Sequence, residues 1–168
     1  MKPAVVAVDL KALILREPRL TLAVGESLTC GQVQACVGAV SGASEFFVGG
    51  ITTYTLDQKV WQLGVNRDAA SRVNSVSAEI AEQMARGACS LFGSNLGLAT
   101  TGYAEPAPNH GVTDPFAWWA LAHRRRERFV AVRNGRVDCP GKSRTDVQVM
   151  VAEAALAGLV DYLRELRG

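Results

Sequence analysis

The sequence predicts an α/β protein, a three-layer α/β/α sandwich around a mixed sheet. In the first hundred residues, short apolar segments alternate with segments of helical periodicity, which is typical of strands joined by helices. Two neighbouring strand segments follow with only a charged stretch between them, and they predict an antiparallel hairpin. The alternation and the hairpin together favour a mixed sheet with helices on both faces.

Periodicity and breaker residues define the elements of the first half. A helical spacing of apolar residues stops before Pro18, and Gly64 is a typical C-terminal stop for the third helix. A continuous apolar run predicts the first strand, while the second strand is β-rich with a Gly49-Gly50 interruption. In chain order the predicted segments are the helix Val5–Glu17, the strand Leu20–Val24, the helix Gln32–Val40, the strand Phe46–Tyr54 and the helix Leu56–Leu63.

The second half is predicted in the same way. Ser77 is predicted to cap a helix, because Glu79 lies in the first turn, where the helix dipole favours negative charge. The last helix has the clearest apolar stripe, and we expect Leu159 in the core. The remaining segments are the strand Leu96–Thr100, the loop Tyr103–Pro115, the hairpin strands Phe116–Ala122 and Arg128–Val132, and the final helix Val147–Leu166.

Composition is typical of a globular protein. The 168 residues are 48% apolar and 20% charged with a net charge of +2, which predicts one domain over residues 1–168. This balance does not indicate an anionic membrane or nucleic acid as a partner. No apolar run approaches the roughly 20 residues of a membrane span, and Asp9 and Lys11 interrupt the N-terminal pattern, unlike a signal peptide. We expect a cytoplasmic protein, and the sequence leaves a homo-oligomer open.

Metal-ligand spacings are missing from the sequence. The four cysteines form no C-x-x-C pair, and the two histidines, His110 and His123, belong to no H-E-x-x-H motif. We therefore expect no metal site and no cofactor. The charged run 123–128 is typical of a solvated hairpin turn, so we expect no nucleic-acid partner and place both histidines in solvent.

Two strand ends carry residues suited to ligand binding, since ligands of open α/β sheets bind at the carboxyl ends of strands. The first is the loop 25–31, where Ser27, Thr29 and Gly31 precede a helix whose backbone N–H groups could hold an oxyanion. The same serine and threonine are also typical of helix caps. At the second end, Thr101 either donates to a ligand or only ends a strand.

A serine nucleophile needs a base, and Lys59 is the candidate. It lies near the start of a short helix, five residues after Tyr54. A general-base lysine must be neutral, which requires burial or a nearby positive charge. An exposed helix lysine has the same spacing, so the local pattern leaves both interpretations open.

Five separated motifs follow one another in a specific order. They are Gly25–Gly31, Ser41–Gly50, Tyr54 with Lys59 and Leu63–Val65, Val76–Glu79, and the strand into Thr101-Gly102. From about Leu13 to Leu166, this order resembles the C-terminal domain of the competence/damage-inducible CinA proteins. Stand-alone members of that family hydrolyse the carboxamide of nicotinamide mononucleotide (NMN) to nicotinate mononucleotide and ammonia.

The resemblance implies a Ser–Lys amidase with a small nucleotide as its substrate. Ser27 matches the family nucleophile, Lys59 matches its base, and Tyr54 matches a tyrosine of the same cluster. The residues expected to bind the substrate, its oxyanion or its phosphate are Thr29, Gly31, Ser44, Gly49, Gly50, Thr101, Gly102 and Arg144, with Arg144 at the phosphate.

The chain departs from the family pattern in two loops. Cys30 stands where the nucleophile loop usually has its first glycine, and Tyr103–Gly111 replaces a glycine-rich loop expected to line the nucleotide pocket. An inward-pointing Glu105 would repel a phosphate. The sequence therefore leaves two alternatives to NMN hydrolysis: a hydrolase for another amide or ester, and a catalytically silent relative that binds a ligand or a protein.

Overall fold

Helices and strands alternate over the first third of the chain, after which helices and then strands follow one another in succession before a final helix. The computed structural model describes residues 3–168, with side chains from Asp9 onward, so the predicted apolar positions Val5 and Val8 lie outside the described side chains. The helices of residues 3–168 are α1 (Pro3–Ile14), α2 (Gln32–Gly38), α3 (Leu56–Leu63), α4 (Arg67–Arg72), α5 (Ala78–Phe92) and α6 (Arg144–Arg167). The strands are β1 (Leu22–Glu26), β2 (Phe47–Thr52), β3 (Leu96–Tyr103), β4 (Phe116–Arg125) and β5 (Arg128–Asp138).

The strands form a mixed five-stranded sheet in the order β2-β1-β3-β4-β5. The first three strands are parallel, with β1 between β2 and β3. The hairpin β4–β5 then adds two antiparallel strands beside β3. As a result, the carboxyl ends of β1, β2, β3 and β5 all lie at one edge of the sheet, where ligands of such sheets usually bind.

Helices cover both faces, so the predicted three-layer α/β/α architecture is confirmed. On one face α1, α2 and α6 pack together and enclose a core that includes Leu22, Leu98 and Leu159. On the other face α5 lies across β1, β3 and β4, and α3 packs against it. None of the helices in residues 3–168 combines the length and apolar character needed to cross a membrane.

Several helix ends follow directly from local sequence. Helix α3 ends at Gly64, whose left-handed φ of 65° suits a residue without a side chain, as predicted. Helix α5 begins after Ser77, whose hydroxyl accepts a hydrogen bond from the Ile80 N–H, so this predicted cap is also confirmed. The short helix α4 has a comparable cap at Asn66 and was not predicted.

The hairpin differs from its prediction in length and in one histidine. Strand β4 extends to Arg125 and β5 to Asp138, so the turn consists of Arg126 and Glu127 alone. The solvated position predicted for His123 is wrong. It lies on β4 and is fully buried, because helices cover both faces there, and its Nδ1 lies 2.6 Å from the Tyr162 hydroxyl.

Candidate active site

A cavity of about 420 Å³ opens at the edge of the sheet where the parallel strands end. Its wall comes from the loops after β1 and β2, the start of α3, residues 74–76, the segment 101–107 with His110, and the first residue of α6. A cavity of this volume falls within the usual range for small-molecule sites. Among the described side chains, no three histidine, cysteine, aspartate or glutamate residues cluster closely enough to hold a metal ion.

Ser27 lies at the bottom of this cavity, on the turn that follows β1. Its backbone N–H donates to the Thr100 carbonyl at 3.0 Å, and its own carbonyl accepts from the Cys30 N–H at 3.1 Å. From α6, the Gln148 amide donates to the Leu28 carbonyl at 2.9 Å. The turn is therefore held from β3 and from α6, and the Ser27 side chain has a fixed position.

The buried carboxylate of Glu26 organises the turn that carries Ser27. Glu26 is fully buried and accepts hydrogen bonds from the N–H groups of Gly31, Val33 and Gln34 at the start of α2. It also accepts from the Thr29 hydroxyl at 2.6 Å. The expectation that the N–H groups at the start of α2 hold an oxyanion is therefore wrong, since Glu26 already occupies three of them. Glu26 accepts hydrogen bonds from N–H groups of the first turn of α2 that have no acceptor within the helix, and its negative charge lies at the positive end of the helix dipole.

Lys59 lies directly beside the serine. It follows the N-cap Thr55 by four residues, and its side chain is only 3% exposed although it belongs to a helix at the cavity wall. Its Nζ donates to Ser27 Oγ at 3.0 Å and to the Tyr54 carbonyl at 3.5 Å. Burial lowers the pKa of Lys59 from 10.5 to about 8, because the charged ammonium loses solvation there. No carboxylate contacts this amine among the described side chains.

This pair has the geometry and protonation that a serine nucleophile requires. With a pKa near 8, a substantial fraction of Lys59 is neutral at mildly alkaline pH and can accept a proton. The serine hydroxyl lies within hydrogen-bond distance of that amine. The two residues can therefore act as nucleophile and general base without a histidine.

Tyr54 connects the dyad to the rim of the cavity. Its carbonyl accepts from Lys59, while its half-exposed side chain extends to Arg144, which donates from Nη2 to the tyrosine hydroxyl. Through Nη1, Arg144 also donates to a carboxylate oxygen of Glu105 at 2.7 Å, forming a partly exposed ion pair. Tyr54 therefore lies between the two cationic side chains, with its carbonyl at Lys59 and its hydroxyl at Arg144.

Polar and aromatic groups line the wall opposite α3. The Tyr103 ring lies beside that of His110, with centroids 6.1 Å apart, and its hydroxyl accepts from the Asn74 amide at 3.0 Å. Thr101 lines the cavity but is nearly fully buried, and its hydroxyl donates to the Ser75 carbonyl at 2.7 Å. This wall offers two aromatic rings, tilted by 35° to each other, beside hydrogen-bonding groups.

Comparison with known proteins identifies the family of this chain. The sequence profile of the CinA C-terminal domain matches residues 7–163. The chain belongs to the CinA family.

Individual CinA-like proteins match most of this chain. This CinA-family chain is 43% identical over 151 residues to a CinA-like protein of Picosynechococcus, and 33% identical over 157 residues to one of Chlorobium limicola. The alignments cover 90% and 92% of this chain but only 36% of each relative, so the chain spans about a third of their length.

Crystal structures of other CinA proteins share the fold. The CinA superfamily protein from Enterobacter cloacae superposes with a TM-score of 0.88 at 22% identity, covering 97% of this chain and 93% of that one. The competence damage-inducible protein A from Klebsiella pneumoniae gives 0.87 at 24% identity, covering 98% of both chains. These similarities establish the α/β fold.

Six of the predicted site residues line the cavity. They are Ser27, Lys59, Tyr54, Thr101, Gly102 and Arg144. Two others lie next to it without lining it. Thr29 is fully buried, bonded to Glu26 and Thr100, and Gly31 is the left-handed N-cap of α2 with a φ of 98°. Both support the turn that carries Ser27, and neither lines the cavity, so their predicted contact with substrate stays a prediction.

Three further predicted residues lie away from the cavity. Ser44 precedes β2, at the opposite edge of the sheet from Ser27 and separated from it by the length of β1, about 16 Å. Gly49 and Gly50 lie within β2 rather than interrupting it. A side chain on Gly49 would meet Phe92, and one on Gly50 would meet Gln34. None of the three lines the cavity and the two glycines serve helix packing, so the substrate roles expected for these residues stay predictions.

Sequence reasoning missed Glu26 and the wall formed by Asn74, Ser75 and His110. Glu26 had one signal, since a charged residue directly after an apolar strand must find partners if it is buried. Asn74 and Ser75 both have left-handed backbone, with φ of 47° and 61°, and no pattern in the sequence reveals this. His110 lines the cavity beside Tyr103, with its ring tilted by 35° to the tyrosine ring.

Proposed function

We propose that this CinA-family chain is an amidohydrolase in which Ser27 is the nucleophile and Lys59 is the general base. The observation that carries the proposal is the 3.0 Å contact between Lys59 Nζ and Ser27 Oγ, made by a buried lysine whose pKa is lowered to about 8. A lysine on an ordinary helix surface would be charged and solvated. Lowering its pKa favours the neutral form that the chemistry requires.

The reaction follows from these two groups. Neutral Lys59 takes the Ser27 proton as Oγ attacks the carboxamide carbon, and the tetrahedral oxyanion forms. Lys59 then returns the proton to the amide nitrogen, ammonia leaves, and an ester with Ser27 remains. A water molecule, deprotonated by Lys59, attacks this ester, releases the carboxylic acid and restores the serine.

The oxyanion needs donors other than the start of α2. The backbone N–H groups of Leu28 and Thr29 directly follow the nucleophile, and within residues 3–168 neither donates to a protein acceptor. We assign these two groups to the oxyanion. In serine hydrolases such backbone donors supply a large part of the transition-state stabilisation.

NMN is the substrate we propose for this site. The family resemblance points to it, and the cavity has the features that such a molecule needs: a nucleophile at one end, an aromatic wall of Tyr103 and His110, and the Arg144 guanidinium at the rim. Arginine suits phosphate because its planar fork of donors matches phosphate oxygens.

A second candidate function has one specific observation in its favour. Glu105 already forms an ion pair with Arg144, which weakens the attraction of that arginine for a phosphate at the rim. This favours an amide or ester without a phosphate, or a silent relative that binds such a ligand. The two functions differ in whether the purified protein releases ammonia from NMN.

The experiment measures ammonia release from NMN by the wild-type protein, Ser27→Ala, Lys59→Ala and Ser44→Ala. We expect each of the first two variants to lose at least about a hundredfold in kcat, the usual lower bound for an essential general base. Ser44→Ala is the control, because its serine lies at the opposite edge of the sheet, and its activity is expected to stay within twofold of wild type.

Two results would contradict the proposal. Full activity in Ser27→Ala would exclude the serine as nucleophile. A folded wild type that releases no ammonia from NMN would shift the assignment to the second candidate.

A further inference from the structure

Arg144, the cation at the rim of the cavity, already has two partners. One guanidinium arm donates to Glu105 at 2.7 Å and the other donates to the Tyr54 hydroxyl. A phosphate can therefore bind Arg144 only by displacing Glu105 or by sharing the guanidinium with it.

The backbone that carries Glu105 is fixed. Ala104 before it is buried, and Pro106 after it restricts the local chain. The loop is then closed by Ala107 and Val112, which exchange two backbone hydrogen bonds of 2.9 and 3.1 Å. The fixed backbone places Glu105 where its carboxylate pairs with Arg144 at 2.7 Å, next to the position of a phosphate bound by that arginine.

The charges around the cavity leave little net attraction for an anion. Of the side chains described from Asp9 onward, the lysine, arginine and acidic groups that line the cavity are Lys59, Arg144 and Glu105. Arg144 and Glu105 cancel, so the rim itself offers a phosphate no net charge, and Lys59, which keeps its proton below a pKa of about 8, lies at the dyad beside Ser27. His110 and two tyrosines complete the titratable groups of the wall.

We propose that Glu105 is a specificity-determining residue that competes with the substrate's phosphate for Arg144. The site then accepts a nicotinamide riboside without a phosphate about as well as NMN. This inference rests on the proposed amidohydrolase function and refines its substrate class: an N-ribosylated aromatic amide whose phosphate contributes little to binding.

The size of the effect follows from exposure. Glu105 and Arg144 are 62% and 42% exposed, so water and salt screen their interaction. Exposed ion pairs of this kind change an equilibrium by less than about tenfold. We therefore expect Glu105→Gln to tighten NMN binding about three- to tenfold, because it keeps the side-chain length and removes the charge.

The test measures dissociation constants by titration calorimetry in the Ser27→Ala background, where no hydrolysis occurs. NMN and its dephosphorylated form, nicotinamide riboside, are titrated into proteins with Glu105 and with Glu105→Gln. Glu165→Gln is the matched control, since Glu165 is also an exposed glutamate paired with an arginine, 3.8 Å from Arg133 on another part of the surface.

With Glu105 present, we expect the two dissociation constants to agree within about threefold. In Glu105→Gln, NMN binds about three- to tenfold more tightly and the riboside is unchanged, whereas Glu165→Gln alters neither. In the protein that retains Ser27, the same substitution lowers KM for NMN and leaves kcat within twofold.

Different outcomes separate the two levels of the proposal. If both compounds bind but Glu105→Gln leaves their ratio unchanged, the role of Glu105 is refuted while the amidohydrolase assignment stands. The role of Glu105 is also refuted if, with Glu105 present, NMN binds more than about tenfold more tightly than the riboside. If neither compound binds any of the proteins, the proposed function fails and this inference fails with it.

Discussion

Replacing Lys59 with methionine should abolish activity and at the same time stabilise the folded chain at neutral pH. Methionine has nearly the length of lysine and carries no charge, so the buried space stays filled. Wild-type Lys59 is 3% exposed, and no carboxylate among the described side chains offsets its charge. Burying an ammonium without an ionic partner lowers the stability of the fold. A catalytic site can require such a group, whereas folding alone gives no reason to keep it.

The magnitude follows from the pKa. Burial lowers the pKa of Lys59 from 10.5 to about 8, which corresponds to about 3 kcal/mol against the charged form at pH 7. Methionine removes this cost but also the hydrogen bonds to Ser27 and Tyr54, each of which contributes about 1 kcal/mol. The net gain is therefore about 1–2 kcal/mol, or about 2–8 °C in Tm for a chain of this size.

The stability difference between Lys59→Met and wild type should depend on pH, because only the lysine titrates. Between pH 8 and 10.5 the unfolded chain keeps the lysine proton that the folded chain has released, so wild-type stability rises with pH in that window. Methionine does not titrate, and the advantage of Lys59→Met therefore shrinks across the same window. Urea unfolding of both proteins at several pH values from 7 to 10.5 measures the difference in their free energies of unfolding. The other titrating groups are the same in both proteins, so their contributions cancel in that difference.

Two results would refute this reasoning. One is a Lys59→Met protein that is less stable than wild type at pH 7. The other is a stability difference that stays constant between pH 7 and 10.5. Either would mean that Lys59 carries its charge in the folded state at little cost and is not prepared to act as a base.

The remaining predictions concern the core and the nucleophile turn. Leu159→Ala in α6 should lower the free energy of unfolding by about 2–5 kcal/mol, because Leu159 is fully buried in the main core. The exposed Val149→Ala on the same helix should change it by less than about 0.5 kcal/mol, and equal effects in urea unfolding would refute the packing assignment. Glu26→Gln should lower kcat about ten- to a hundredfold and cost about 1–3 kcal/mol, because an amide cannot accept all the bonds that Glu26 accepts. Unchanged ammonia release by the folded variant would show that Glu26 does not position Ser27.

Local patterns predicted the elements that local interactions define. The end of α3 at Gly64 and the cap of α5 at Ser77 depend on a few neighbouring residues, and both are confirmed. The three-layer architecture followed from the order of segments, since parallel strands joined by helices must be covered on both faces. Strand ends were less accurate, because pairing with neighbours extended β5 six residues beyond its apolar run.

Tertiary contacts decided what local patterns could not. Two successive glycines, Gly49 and Gly50, predict a strand interruption in the sequence, yet in the structure Phe92 and Gln34 occupy the space that side chains there would need. His123 stands beside a run of arginines, but the layers on both sides of β4 bury it. Glu26 is one residue before the nucleophile, and only the path of the chain into α2 shows that its carboxylate takes the helix N–H groups.

The measurement that tests the central claim most directly is the pH dependence of kcat/KM for ammonia release from NMN. If neutral Lys59 is the base, the rate rises about tenfold per pH unit below pH 8 and levels off above it, following the pKa of about 8. A profile that is flat from pH 6 to 9, or one that levels off well below pH 8, would contradict the Ser27–Lys59 mechanism.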